Sequence, residues 1–138
     1  MAETQEKQSR SDLDIKHDID HLETSYPPLV NDRHQVEITI NEGVITVSGY
    51  VKSYPTVEYI LSQFPKVEGV TSVNSDDLYV DESIRREAGK VIAPGVSINV
   101  EYGSVIISGL LTEGFDSELL VKQVSSVEGV RRIVTSFV

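Results

Sequence analysis

Apolar and polar residues alternate in two runs set sixty positions apart, and that pattern predicts most of the architecture. Val36, Ile38 and Ile40 are spaced by Glu37 and Thr39, as Val96, Ile98 and Val100 are by Ser97 and Asn99. This is the period-two mark of a half-buried strand. Each run meets a short polar turn ending in glycine, Asn41 to Gly43 and Glu101 to Gly103, where a left-handed residue suits a hairpin with a bulge. A second strand follows, with inward sets Ile45, Val47, Val51 and Val105, Ile107, Leu111. Gly49 and Gly109 interrupt these strands, each after a serine, Ser48 or Ser108. A glycine inside a strand implies close approach of another backbone, here expected to be the helix packed across that face.

Helical spacing takes over next. Val57, Ile60, Leu61 and Phe64 fall on one stripe, and Leu119, Leu120 and Val124 occupy the corresponding stretch, with Pro55 suited to a first turn and Asp116 to an N-cap. The tetrapeptide Val-Glu-Gly-Val then stands at 67–70 and again at 127–130. Gly69 and Gly129 are expected as left-handed caps just past these helices, with Val70 and Val130 packing back on the last turn. The repeat therefore reads as helix stop plus strand start. Segments 70–80 and 130–138 read as third strands. Before each hairpin lies another amphipathic helix, carrying Ile15, Ile19 and Leu22 or Ile84, Ala88 and Val91, with Ser11 and Asp81 as N-caps. Residues 23–35 read as a loop.

The predicted class is α+β: two tandem α-β-β-α-β units, each a three-stranded sheet covered on one face by two helices. A flexible N-terminal tail spans 1–11, and the units span 12–80 and 81–138. Units this small bury only about 60% of the surface their unfolded chains expose, so a shared interface is expected.

The order V.I.....VI.VSG.V, then a helix, then VEGV..V, found twice, resembles the BON domain of bacterial osmotically inducible periplasmic proteins and nodulation proteins. The resemblance implies the sheet-and-two-helix unit described above. It also implies a non-enzymatic role at the bacterial envelope, with phospholipid or membrane-surface association, and in some members chaperone-like or potassium-binding roles.

Composition changes this picture only in places. With 39% hydrophobic and 25% charged residues the chain is expected to fold. It has no cysteine, which excludes disulfides, zinc–thiolate sites and cysteine nucleophiles. The opening MAETQEKQSR has no apolar core of a signal segment, and no run reaches the roughly 18 apolar residues of a membrane span. The chain as written thus reads as cytoplasmic, with the periplasm as the alternative if a leader has been trimmed. A net charge of −10 opposes nucleic acid, and neither a KH-type GXXG loop nor RNP aromatics are present. Charge is uneven, with net −8 over residues 1–80 and net −2 over 81–138.

Asp14, His17, Asp18 and His21 have metal-ligand chemistry at helical spacing, but such residues on a helix exterior read better as a solvated face than as a metal site. His34 is isolated, and neither GxSxG nor HExxH occurs, so no enzyme activity and no cofactor is expected. Two surfaces of the second unit stand out. Ile106 and Leu110 put apolar groups on a nominally solvent face, an interface candidate. A right-handed crossover would make strand three parallel to strand two and gather Arg85, Arg86, Tyr102, Arg131 and Arg132 at the hairpin tip, a pole suited to a phospholipid headgroup. The expected function is a non-catalytic module binding anionic phospholipid or a membrane-linked envelope protein. The alternative is a stress-related, chaperone-like or scaffold protein contacting other polypeptides. No oligomeric state follows from these patterns.

Overall fold

A computed structural model of the chain describes residues 10–110 and 114–138. Leu111, expected on an inward face, and residues 1–9 of the expected tail lie outside the described residues. The chain is α+β and divides into two compact units, one ending at Leu78 and the other running from Tyr79 to Val138.

The first unit opens with α1 (Asp12–Thr24), whose N-cap is Ser11: its hydroxyl accepts the Asp14 N–H at 3.1 Å. Ile15 and Ile19 face inward and are fully buried. Arg10 and Ser11, both assigned to the tail, are engaged, since the Arg10 guanidinium donates to the Glu68 carbonyl at 2.7 Å and meets Asp18 at 2.7 Å. The segment expected as a loop forms α2 (Pro27–Asp32) and a 3-10 turn (Arg33–Gln35). Its two prolines fit a first turn, where no N–H is needed. Leu29 reaches the core, and Tyr26 stacks on Tyr59 at 4.3 Å with planes 9° apart.

Strands β1 (Val36–Asn41) and β2 (Val44–Val51) pair antiparallel. Helix α3 (Tyr54–Gln63) and a 3-10 turn (Phe64–Lys66) lead to β3 (Ser72–Asn74), parallel to β2. A short β4 (Leu78–Val80) also pairs with β2, so this sheet has four strands where three were expected. The core joins Ile15 and Ile19 of α1, Leu29 of α2, Ile45 and Val47 of β2, Ile60 of α3 and Phe64. Fully burying one such side chain stabilises by roughly 1.5–3 kcal/mol.

The second unit has α4 (Asp81–Gly89), β5 (Val96–Glu101), β6 (Ser104–Gly109), α5 (Ser117–Ser125) and β7 (Arg132–Phe137). Its sheet runs β5-β6-β7, with β6 antiparallel to β5 and parallel to β7. Ile84, Ala88, Val96, Ile98, Val100, Val105, Ile107, Leu120 and Val124 are buried. Asp116 caps α5, accepting the Leu119 N–H at 3.0 Å.

Five local expectations need correction. Each hairpin loop has only two residues, Glu42–Gly43 and Tyr102–Gly103, closing on Asn41↔Val44 and Glu101↔Ser104 without a bulge. Both loop positions have positive φ (50° and 82°, 47° and 82°), the mirror-image turn whose twist matches the strands. Val-Glu-Gly-Val is a β-turn and not a helix cap. Val70 N–H donates to the Val67 carbonyl at 3.1 Å and Val130 N–H to Val127 at 3.3 Å, with glycine φ at 94° in both, the third position of a type II turn.

The backbone that approaches Gly49 and Gly109 belongs to the chain entering the neighbouring strand, not to a helix. A Cβ at Gly49 would lie 2.0 Å from the Gln35 carbonyl oxygen, and one at Gly109 2.4 Å from that of Gly95. The α3 stripe is also rotated: Thr56, Ile60 and Phe64 are buried while Leu61 is 44% exposed. Tyr59 supplies the reason, because its hydroxyl donates to the Leu22 carbonyl at 2.7 Å and its ring lies on Tyr26. Asp81, expected as an N-cap, is instead the first residue of α4 and points elsewhere.

Candidate functional site

Asp81 begins α4, and its carboxylate accepts two backbone N–H groups of the hairpin tip, Tyr102 at 2.7 Å and Gly103 at 3.0 Å. The Gly103 carbonyl in turn accepts the Arg131 N–H at 2.8 Å. Helix start, hairpin tip and entry to the third strand therefore meet at one end of the second unit. The parallel pairing of β6 and β7 is the crossover geometry that the sequence analysis used to place the arginines there.

Arg132 lies beside Ser104, donating from Nε to its hydroxyl at 3.1 Å, and the two residues are opposite one another in the register. Both Arg131 and Arg132 are exposed, as are Arg85 and Arg86 in the second turn of α4. Arg86 Nε stands 3.7 Å from Glu87, but Lys90 holds that carboxylate more closely, at 2.8 Å. The Lys90 hydrogen bond is the main reason that Glu87 sits below the usual carboxylate range. Tyr102 is half-buried, with φ at 47°. A non-glycine residue pays roughly 1–2 kcal/mol for that region, and the Asp81 carboxylate on its N–H helps to hold it there.

The first unit builds the same junction from different side chains. Asp12 starts α1 and accepts the N–H groups of Glu42 at 2.8 Å and Gly43 at 3.0 Å. The Gly43 carbonyl accepts the Thr71 N–H at 2.9 Å. Where the second tip has Tyr102, Arg131 and Arg132, the first has Glu42, Thr71 and Ser72. Lys16, at the position of Arg85 along the helix, is bound to Asp20 at 2.6 Å. In both units the turn glycine lies against the helix. A Cβ at Gly69 would meet Arg10 Cβ at 2.8 Å and Ile15 Cδ1 at 3.1 Å, and one at Gly129 would meet Tyr79 Cδ1 at 2.9 Å and Ile84 Cδ1 at 3.2 Å. Gly43 is tied to the same junction, since its Cβ would fall 2.6 Å from the Gly69 carbonyl oxygen.

The other candidates separate from this site. Ile106 sits on the outward face of β6, half-buried between Asn99 and Val134, whereas Leu110 lies past the last residue of that strand and is 65% exposed. Val134, 45% exposed, is the apolar neighbour of Ile106 that the sequence analysis missed. Period-two spacing in β7 together with the β6 register would have found it. Asp18 is held by Arg10, whose hydrogen bond is the main cause that lowers its carboxyl below the ordinary range. Among the described residues, no three His, Cys, Asp or Glu side chains are placed to share a metal ion. His34 lines an open groove of about 310 Å³ with Lys16, Asp20, Glu23 and Arg33. Burial, and then the charge of Asp20, push Glu23 up. Among the described residues no helix is long and apolar enough to cross a membrane.

No family model matches the chain, and no curated protein matches it. Solved structures do, two of them of one protein. One is the C-terminal domain of CdsD, the structural protein of the type III secretion system of Chlamydia trachomatis, with TM-score 0.67, 12% identity and coverage of 93% of this chain and 66% of that one. The other, also of CdsD, has TM-score 0.64 and 12% identity, covering 93% of this chain and 63% of that one. The chain thus spans just under two thirds of each, and at this identity the similarity is one of fold.

Proposed function

We propose that this chain is a non-catalytic, tandem BON-type module that holds a membrane-linked partner at the cell envelope, with the tip of the second unit receiving an anionic phospholipid headgroup. The observation that carries this reading is the bond from Arg131 N–H to the Gly103 carbonyl, which sets two adjacent arginines beside a half-buried tyrosine at a hairpin tip. Guanidinium forks match phosphate oxygens, and tyrosine suits a surface that is apolar at one end and wet at the other. Attraction has to be local, because the chain as a whole carries net charge −10 and is repelled by anionic surfaces at long range. The fold similarity to a secretion-system structural protein supports a structural role over a catalytic one.

Flotation with phosphatidylserine-containing vesicles tests this. The intact chain should float at low salt, lose that association as salt rises, and ignore pure phosphatidylcholine. Replacing Arg85, Arg86, Arg131 and Arg132 together by serine should abolish flotation while leaving circular dichroism unchanged. A wild-type chain that stays with the soluble fraction at low salt overturns the headgroup assignment.

A further inference from the structure

Each sheet ends in a third strand parallel to its centre, and the two strands treat their outer edges in opposite ways. In the first unit β3 stops after three residues. Asn74 Oδ1 then accepts the Asp76 N–H at 2.9 Å, Leu78 N–H reaches the Ser75 carbonyl at 3.0 Å, and the chain turns through Asp76 and Asp77 before β4. A short strand, a loop and acidic residues are means by which proteins keep an edge from pairing.

The second unit has none of these in β7. Residues 132–137 form one uninterrupted strand, pairing residue for residue with 104–109, and no side chain from Ile133 to Val138 is charged. Among the described strands β7 pairs with β6 alone. The hairpin closes on Glu101↔Ser104, so Val105, Ile107 and Gly109 turn their polar groups to β7, and Val138 N–H bonds the Gly109 carbonyl. The alternation of a parallel ladder therefore turns the N–H and C=O of Ile133, Thr135 and Phe137 to the open edge. Val134, Thr135 and Ser136 are exposed. The opposite edge of the sheet, β5, ends on the acidic Glu101 and has α4 packed against it.

We infer that the β7 edge docks an extended segment of a partner polypeptide as an added antiparallel strand. Its charge pattern specifies the segment. Arg131 and Arg132 stand at the beginning of β7 and no side chain from Ile133 to Phe137 is charged, so an antiparallel partner would carry uncharged, β-branched residues ending in acidic residues at its C-terminal end. A second copy of β7 lacks that complement of acidic side chains, because antiparallel self-pairing sets each arginine pair beside a strand end that has none. This inference stands apart from the headgroup reading: the two share the arginines, but not the variant or the probe that tests them.

The probe is a ten-residue peptide alternating threonine and valine and closing on two C-terminal glutamates, followed by fluorescence anisotropy against the full chain. It should bind, and a peptide with the glutamates moved to the N-terminus should bind about tenfold more weakly. Thr135→Pro removes an edge-facing donor without touching a β6 bond, and should weaken binding about tenfold at unchanged circular dichroism. If that variant misfolds, a peptide N-methylated at alternate amides makes the same test from the other side and should lose binding. Absence of binding by the wild type, or equal binding of the Thr135→Pro chain or of the N-methylated peptide, overturns the inference. So does self-association in sedimentation that Thr135→Pro abolishes, which would make a second copy the occupant.

Discussion

The two hairpin tips have one backbone scheme and two surface chemistries. In each, an aspartate at a helix start holds two turn amides, the turn glycine accepts from the residue entering the third strand, and a Val-Glu-Gly-Val turn closes against the helix. What differs is everything that points away: Glu42, Thr71 and Ser72 on the first, Tyr102, Arg131 and Arg132 on the second. The edges diverge in the same way, one broken by an acidic loop and one left open. The shared parts satisfy backbone polar groups that would otherwise be stranded. The unshared parts face solvent and have no such duty, so binding chemistry is to be sought there.

The comparison breaks most readily at the strand glycines, which should be equally indispensable in both units. Gly49 and Gly109 have φ of 111° and 149°, and an added Cβ would fall 2.0 and 2.4 Å from a carbonyl oxygen. Backbone cannot yield as a side-chain tip does. Gly49→Ala and Gly109→Ala should each cost about 3 kcal/mol or more, read as lost hydrogen-exchange protection in β2 and β6 respectively. A Gly109→Ala chain with wild-type protection in β6 would show that the second unit does not depend on this approach.

The aspartates should sharpen the comparison by differing. Asp81 is 5% exposed and Asp12 is half-buried, so the amides left by Asp81→Ala find water less easily. We expect about 2–4 kcal/mol for Asp81→Ala and about 1–2 kcal/mol for Asp12→Ala in urea melts. Equal costs would mean that water reaches both tips alike.

The fold was legible because its signals are local. Period-two runs, glycines at strand interiors and the repeat itself placed the central hairpins correctly, and Ser11 and Asp116 cap the helices assigned to them. The errors share a cause, which is that the deciding contact is distant in sequence. Asp81 resembles a cap, but the hairpin amides 21 and 22 residues away claim it. Leu61 fits the helical stripe, but Tyr59 bonding to Leu22, 37 residues away, turns the helix. Helix α2 had a local signal, two prolines ahead of Leu29 and Val30, that a reading of the segment as a loop passed over. The open edge of β7 is invisible in its own sequence and appears only beside the broken edge of the first unit.

The smallest effect concerns strain at the turns. Glu42 and Tyr102 hold φ near 50°, where glycine is unstrained but lowers stability through the unfolded chain. Glu42 is exposed, so Glu42→Gly should leave a net gain of about 0.5 kcal/mol, or about 2–4 °C in melting temperature for a unit of this size. Tyr102→Gly relieves the same backbone but removes a half-buried ring, and that loss should cancel the gain. A melting series of the two variants separates backbone from side chain at the tips. If Glu42→Gly melts below the wild type, the Asp12 carboxylate already offsets the turn strain, and the difference between the tips would lie in how firmly each aspartate holds its turn.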